Sequence, residues 1–216
     1  MLSRRAIALT AAALVAAPAA TAVAASKPAP KPKPMCQQVI DDAGDPYAVR
    51  QAPDQKVADD ALDVISADVA TNASTMTVAI RVKKLAAFPT TSPAGGTYQM
   101  TFNVGSEDAL YYALVSSGPN GLYSEFGTRE ALPAVTSVPT VLGNPTPVLD
   151  LAKNEVRMSF PLSLFGDVKL VKGKTKISPV ETTAGRGNRG RGVFADDAVG
   201  GKNYVAGTPS CVTVGK

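Results

Sequence analysis

Residues 75–82, Thr-Met-Thr-Val-Ala-Ile-Arg-Val, decide the fold class. Met76, Val78, Ile80 and Val82 fall on one parity and Thr75, Thr77, Ala79 and Arg81 on the other, the period-two pattern of a strand with one buried face. Residues 97–104 repeat it, with Tyr98, Met100, Phe102 and Val104 expected inward. Gly105-Ser106-Glu107-Asp108 then turns the chain into 109–116, which completes a hairpin. Further strands are expected at 62–70, 122–126, 148–151, 155–160, 167–171, 176–180 and 211–214. Turn clusters such as Ser117-Gly118-Pro119-Asn120-Gly121 and Gly143-Asn144-Pro145 separate them. Helical periodicity nowhere persists past a turn or two. Pro161-Leu162-Ser163-Leu164-Phe165-Gly166, with its proline start and glycine end, fits one helical turn. The expectation is an all-β antiparallel β-sandwich, of jelly-roll or immunoglobulin-like kind, with at most that one short helical turn.

The chain has 216 residues, enough for one domain and too few for two comfortable ones. It contains no histidine, which excludes Ser-His-Asp and Cys-His mechanisms, imidazole bases and His-ligated zinc, copper or haem. Three segments are expected. Residues 1–25 carry Arg4 and Arg5, an apolar stretch from Ala6 to Val23 broken by Pro18, and a small-residue end at Val23-Ala24-Ala25, which together read as a cleaved signal peptide. A retained membrane helix fits less well, because the stretch is short, alanine-rich and interrupted by proline. Ser3-Arg4-Arg5 touches the twin-arginine pattern in part, and a general secretory signal fits better. Residues 26–35 alternate lysines with Pro28, Pro30, Pro32 and Pro34, an extended solvated linker that could also serve as a wall tether. Residues 36–216 form the sandwich domain. The expected location is therefore secreted, extracellular or wall-associated, as a monomer with no membrane span after signal removal.

In an oxidising compartment the two cysteines, Cys36 and Cys211, are expected to form one disulfide joining the domain's ends. A redox pair is the weaker reading, since there is no C-x-x-C and nothing basic beside Cys211.

Asp41-Asp42-Ala43-Gly44-Asp45, then Ala61-Leu62-Asp63-Val64-Ile65-Ser66-Ala67-Asp68-Val69 leading into the strand at 76–82, resembles secreted bacterial β-sandwiches of the family-9 carbohydrate-binding and DOMON-like superfamily. Val156-Arg157-Met158-Ser159-Phe160-Pro161-Leu162 and Phe194-Ala195-Asp196-Asp197-Ala198 through Tyr204 fit the same arrangement. The resemblance spans roughly residues 36–214 and implies an extracellular binding module, often for sugars, sometimes with calcium or haem. The chain has neither the tryptophan such modules use against a sugar nor the histidine of a DOMON haem site.

Charge is distributed unevenly. Residues 36–70 hold eight aspartates against Arg50 and Lys56, while residues 169–192 hold seven basic residues against Glu181. From Cys36 onward 17 basic residues face 18 acidic ones, so the domain is near neutral and no polyanion partner is implied. The basic stretch lacks stacking aromatics, which argues against nucleic acid. Asp42, Asp45 and Asp63, with carbonyls near Gly44, are the candidate calcium ligands, although a solvated acidic loop is the plainer reading. Gly185-Arg186-Gly187-Asn188-Arg189-Gly190 spells a dinucleotide motif, yet no βαβ unit surrounds it, and it is expected to be a loop. Gly173-Lys174-Thr175 ends like a phosphate loop whose earlier glycine is Val168 instead.

Two readings of function remain besides a structural envelope protein without a ligand. Carboxylates such as Glu107, Asp108, Glu125 and Glu130 could run glycoside hydrolysis without histidine. Tyrosines could bind sugar, since each offers a flat ring with a polar tip, and Tyr98, Tyr111 and Tyr123 are the candidates. Tyr111 and Tyr112 must point to opposite faces. Leu110 and Leu114 share the parity of Tyr112, so Tyr111 is expected outward. The sequence favours a secreted, non-catalytic module for polysaccharide or cell-wall glycan.

Overall fold

A computed structural model describes residues 31–44, 59–86, 96–106, 109–118, 121–129, 139–186 and 193–215. Its strands are β1 (Val39–Ile40), β2 (Val64–Thr71), β3 (Thr75–Val82), β4 (Gly96–Val104), β5 (Leu110–Gly118), β6 (Gly121–Arg129), β7 (Thr140–Gly143), β8 (Thr146–Asp150), β9 (Glu155–Pro161), β10 (Lys176–Arg186), β11 (Val193–Val199) and β12 (Tyr204–Val205). Two antiparallel sheets form. The smaller runs β1-β2-β3-β9-β8, and the larger runs β11-β10-β4-β5-β6-β7 with β12 also on β10. Packed together they make the β-sandwich that the alternating strands require.

The inward parities of β3 and β4 are as expected, whereas that of β5 is reversed. Met76, Val78 and Ile80 of β3 and Val156, Met158 and Phe160 of β9 face Tyr98, Met100 and Phe102 of β4, Tyr111, Ala113 and Val115 of β5, and Phe126 of β6 in one core. Phe126 and Phe160 stack across the sheets with centroids 4.2 Å apart. Phe165 joins them from a single 3-10 turn, Leu162–Phe165, which Gly166 ends at φ 62°. Each such side chain, fully buried, contributes about 1.5–3 kcal/mol.

Polar groups also tie the sheets. The Tyr204 hydroxyl accepts the Thr71 N–H at 3.0 Å and donates to the Thr208 carbonyl at 2.8 Å. Asp196 accepts the Val64 N–H at 2.6 Å. Cys36 and Cys211 are paired, with Cα atoms 5.1 Å apart and a sequence separation of 175. Closing so long a loop restricts the unfolded chain by up to about 5 kcal/mol.

Two expected strands are not strands. Residues 167–175 fold into turns because Thr175 Oγ1 accepts the Val171 N–H and donates to the Lys169 carbonyl, giving the backbone a local alternative to a ladder. Residues 211–214 instead cross the outer face of the smaller sheet. Val212 packs on Ala70 and Ala79 there, and the Gly215 N–H donates to Thr77 Oγ1. Strand β10 continues past its expected end at 180, because a register shift between Pro179 and Glu181 absorbs the proline that lacks an N–H. Strands β1, β7, β11 and β12 were not foreseen; β1, β7 and β12 have four residues or fewer, too short to show a period.

Candidate functional site

The register fixes what the larger sheet presents on its outer face. Thr183 of β10 lies opposite both Gln99 of β4 and Asp197 of β11, and Glu181 lies opposite Thr101. Thr101 in turn faces Tyr112, and Gln99 faces Leu114. Tyr112 lies opposite Gly127 and Leu114 opposite Glu125. Four strand spacings separate Asp197 from Glu125, roughly 19 Å of continuous surface.

At its centre the Tyr112 ring lies over Gly127. A Cβ there would fall 2.7 Å from the Tyr112 hydroxyl and 2.8 Å from its ring, so the site requires glycine. The Arg129 guanidinium sits over the same ring, 5.1 Å from its centroid, and donates to Gln99 Oε1 at 3.0 Å. Tyr123 donates to the Glu125 carboxylate. Two groups are left over. The hydroxyls of Tyr112 and Thr183, in residues 1% and 5% exposed, have no hydrogen-bond partner.

Electrostatics on this face favour neutral forms. Burial pushes the Tyr112 phenol up, the Glu125 charge adds to it, and Arg129 opposes. Burial likewise pushes the Glu181 carboxyl up, with the Asp197 charge adding and Arg129 opposing. The Arg129 charge thus acts on both Tyr112 and Glu181, and Lys176 stands on the same parity, exposed beyond Asn103.

The outer face of the smaller sheet is built differently. A cleft of about 540 Å³ there is lined by Asp68, Arg81, Lys153, Glu155 and Arg157, with Cys36 and Cys211 at its rim. Arg81 reaches Asp68 at 2.5 Å and Glu155 at 2.8 Å. Arg157 reaches Glu155 at 2.9 Å and Asp150 at 3.1 Å, and Lys153 reaches Asp150 at 3.4 Å. Three carboxylates are thus matched by three cations in one unbroken row. Burial pushes the Asp150 carboxyl up, but the hydrogen bonds and charge of Lys153, with Arg157 beyond, outweigh it and hold the group below its ordinary value.

The sequence-derived candidates are dispersed. Tyr111, expected outward, is buried in the core against Phe102, Phe126 and Phe165. The outward side of β5 carries Leu110, Tyr112 and Leu114, and Leu114 is itself 2% exposed, so the apolar parity did not mark the core. Tyr98 also points inward, its hydroxyl donating to the Ala61 carbonyl at 3.0 Å. Tyr123 alone of the three lies on the outer face, half-buried.

Among the expected calcium ligands, Asp45 lies outside the described residues, as do the hydrolase candidates Glu107, Asp108 and Glu130. Asp42 is exposed, and its N–H donates to Asp41. Asp63 is buried; it accepts the Gly44 N–H at 2.8 Å and lies 3.7 Å from the Lys83 ammonium. Lys83 also reaches Asp60 at 2.9 Å, and the hydrogen bond and charge of Asp60 raise its pKa. Among the described residues no three potential metal ligands gather. The aspartates dense in sequence are thus divided between partners at the end of β3 and just after it, Asp68 going to Arg81 and Asp60 and Asp63 to Lys83. Residues 187–190 of the glycine motif also lie outside the described residues.

Sequence reasoning missed Gln99, Arg129, Glu181, Thr183 and Asp197 as one group. The signal that finds them is the polar parity of β4, namely Thr97, Gln99, Thr101 and Asn103, whose hydroxyls and amides replace the charged side chains of an ordinary solvated sheet face. No helix among the described residues is long and apolar enough to cross a membrane. Comparison with protein-family models, curated proteins and solved structures finds no match to this chain.

Proposed function

We propose that the chain is an exported, non-catalytic binding module, and that it holds a polysaccharide or cell-wall glycan on the outer face of its larger sheet. The observation that carries this reading is the pair of buried hydroxyls, Tyr112 and Thr183, left without a partner on a surface of amide, carboxylate and guanidinium groups. A buried unsatisfied hydroxyl costs about 1–3 kcal/mol, and a ligand rich in hydroxyls relieves that cost on binding. Gln99, Glu125 and Arg129 add planar donors and acceptors, and the half-buried Tyr123 adds a ring, the mixture by which a sugar is oriented. The resemblance to family-9 carbohydrate-binding modules agrees with this reading.

The test is a pull-down of the mature protein on insoluble polysaccharides and isolated cell walls, with the double variant Tyr112→Phe/Thr183→Val alongside. Saturable binding that falls at least tenfold in the variant, with an unchanged melting temperature, is the expected result. Failure to bind any matrix would overturn the reading and favour a structural envelope role.

One observation favours a second reading. Glu181, its carboxyl pushed up by burial beside Asp197, has the attribute of a general acid in a carboxylate glycosidase. Release of new reducing ends from a bound glycan, lost in Glu181→Gln, would replace the binding module with a hydrolase.

A further inference from the structure

We propose that the end of the sandwich carrying the β2–β3 turn and residues 169–174 is a docking surface for an anionic phospholipid membrane. A recess of about 320 Å³ opens there, lined by Thr71, Asn72, Ala73, Leu170, Lys172 and Gly207, and by no carboxylate among the described residues. In the turn, Asn72 Oδ1 accepts the Ser74 and Thr75 N–H groups. That leaves the Asn72 amide NH2 and the Ala73 N–H as donors without a partner among the described residues. A Cβ on Gly207 would fall 2.6 Å from Lys172 Cγ, so the Lys172 stem lies against that backbone at the wall of the recess. A recess with one cation, amide donors and no acid suits an anion, and a headgroup phosphate is one.

The surroundings of the recess select the kind of anion. Lys169, Lys172 and Lys174 are exposed on one tight turn around Val171, itself 46% exposed. The turn is held in shape by the Val171 N–H donating to Thr175 Oγ1 and by the Gly173 N–H donating to the Ala206 carbonyl. Lys33 joins them from the linker, two residues before Met35, whose N–H donates to the Pro209 carbonyl. None of these four lysines makes an ion pair among the described residues. The domain is near neutral in total, so this concentration of cations is a product of the fold. A soluble polyanion gains from the lysines and nothing from Val171. A bilayer surface takes both, the ammonium groups at its headgroups and the valine beneath them. Upstream in sequence the linker leads back to the apolar stretch from Ala6 to Val23, the segment expected to meet a membrane during export.

The test is co-sedimentation of the mature protein with vesicles of phosphatidylglycerol and phosphatidylcholine in equal parts, and of phosphatidylcholine alone, at low and high salt, with soluble polyphosphate titrated calorimetrically alongside. Binding to the mixed vesicles about tenfold tighter or more than to phosphatidylcholine alone, weakened by salt, is the expected result. Lys169→Gln/Lys172→Gln/Lys174→Gln should abolish that preference. Val171→Ser should weaken binding to the mixed vesicles about threefold and leave polyphosphate binding unaltered, both variants keeping the melting temperature of the parent. Equal binding to the two kinds of vesicle, or a preference that the triple variant retains, would overturn the proposal. Polyphosphate bound as tightly as the mixed vesicles, with Val171→Ser without effect on either, would overturn the lipid in favour of a soluble phosphate polymer. These outcomes are independent of the glycan pull-down, which reads the larger sheet.

Discussion

The two outer faces of this sandwich handle buried polar groups in opposite ways. On the smaller sheet, Asp68, Arg81, Glu155, Arg157, Asp150 and Lys153 alternate in sign across neighbouring strands and complete one another. On the larger sheet, among the described residues, two buried hydroxyls, Tyr112 and Thr183, have no hydrogen-bond partner. A face that satisfies its own groups gains nothing from a further ligand, and the row on the smaller sheet is explained by folding alone. A face that leaves donors and acceptors unmatched under burial retains a cost that only another molecule removes.

The strongest way to break that contrast is Arg81→Ala. Arg81 is the one group that touches both Asp68, fully buried, and Glu155, 6% exposed in its side chain. Removing it takes the cation from Asp68 and leaves Glu155 to Arg157 alone, at a cost of about 3 kcal/mol, the lower end of the range for buried pairs because Arg81 itself is partly solvated. Arg129→Ala on the other face strands no matched carboxylate and should cost about 1 kcal/mol, chiefly the lost contact with the Tyr112 ring. Denaturant unfolding of the two variants under one condition checks the ratio. Equal losses would show that both faces are organised alike.

The sandwich was legible because period-two alternation survives in the long central strands: Thr75–Val82 matches its expected bounds, and β4, β5 and β9 lie within two residues of theirs. The site was less so, for one physical reason. Parity tells which residues share a face, not which face is the core, and on β5 both faces are buried. Leu114 therefore looked like a core marker and placed Tyr111 outside, when Ala113, Val115 and the stacked Phe126 placed it inside. Ion pairs were hidden for a related reason. Asp68 and Arg81 are 13 residues apart, and only the β2–β3 register, with its shift between Val64 and Ser66, brings them together. The Glu181 and Asp197 neighbourhood likewise depends on β10 running beyond Pro179, which a proline in a strand argues against.

A smaller effect sharpens the contrast between matched and unmatched hydroxyls. Tyr204→Phe removes an oxygen that accepts from Thr71 and donates to Thr208, leaving the Thr71 N–H buried without its partner, and should cost about 1–3 kcal/mol. Tyr112→Phe removes an oxygen with no partner and should leave stability unchanged or raise it by a few tenths, about 0.5 kcal/mol. Thermal and denaturant unfolding of both variants measures the difference. A loss in Tyr112→Phe comparable to that in Tyr204→Phe would mean the Tyr112 hydroxyl is satisfied in the free protein, and the case for a ligand there would fail.

The smallest effect is one of sign with pH. The Glu181 carboxyl is raised above its ordinary 4.5, chiefly by burial, with Asp197 adding and Arg129 opposing. The folded chain therefore keeps that proton to higher pH than the unfolded chain, and stability falls as pH rises from 4.5 through the folded value. Asp150 on the other face is lowered below its ordinary 3.8, because Lys153 and Arg157 outweigh the effect of burial. The unfolded chain takes up that proton first, so this stability is present above 3.8 and is lost as pH falls through the folded value. Glu181→Gln should flatten the stability profile on its alkaline side, and Asp150→Asn should flatten it on its acid side, each leaving the other limb in place. Unfolding free energies measured across acid to neutral pH test both at once. If Glu181→Gln instead steepened the alkaline limb, Glu181 would be held in its ionised form by a cation, and the opposite pH dependence of the two faces would not exist.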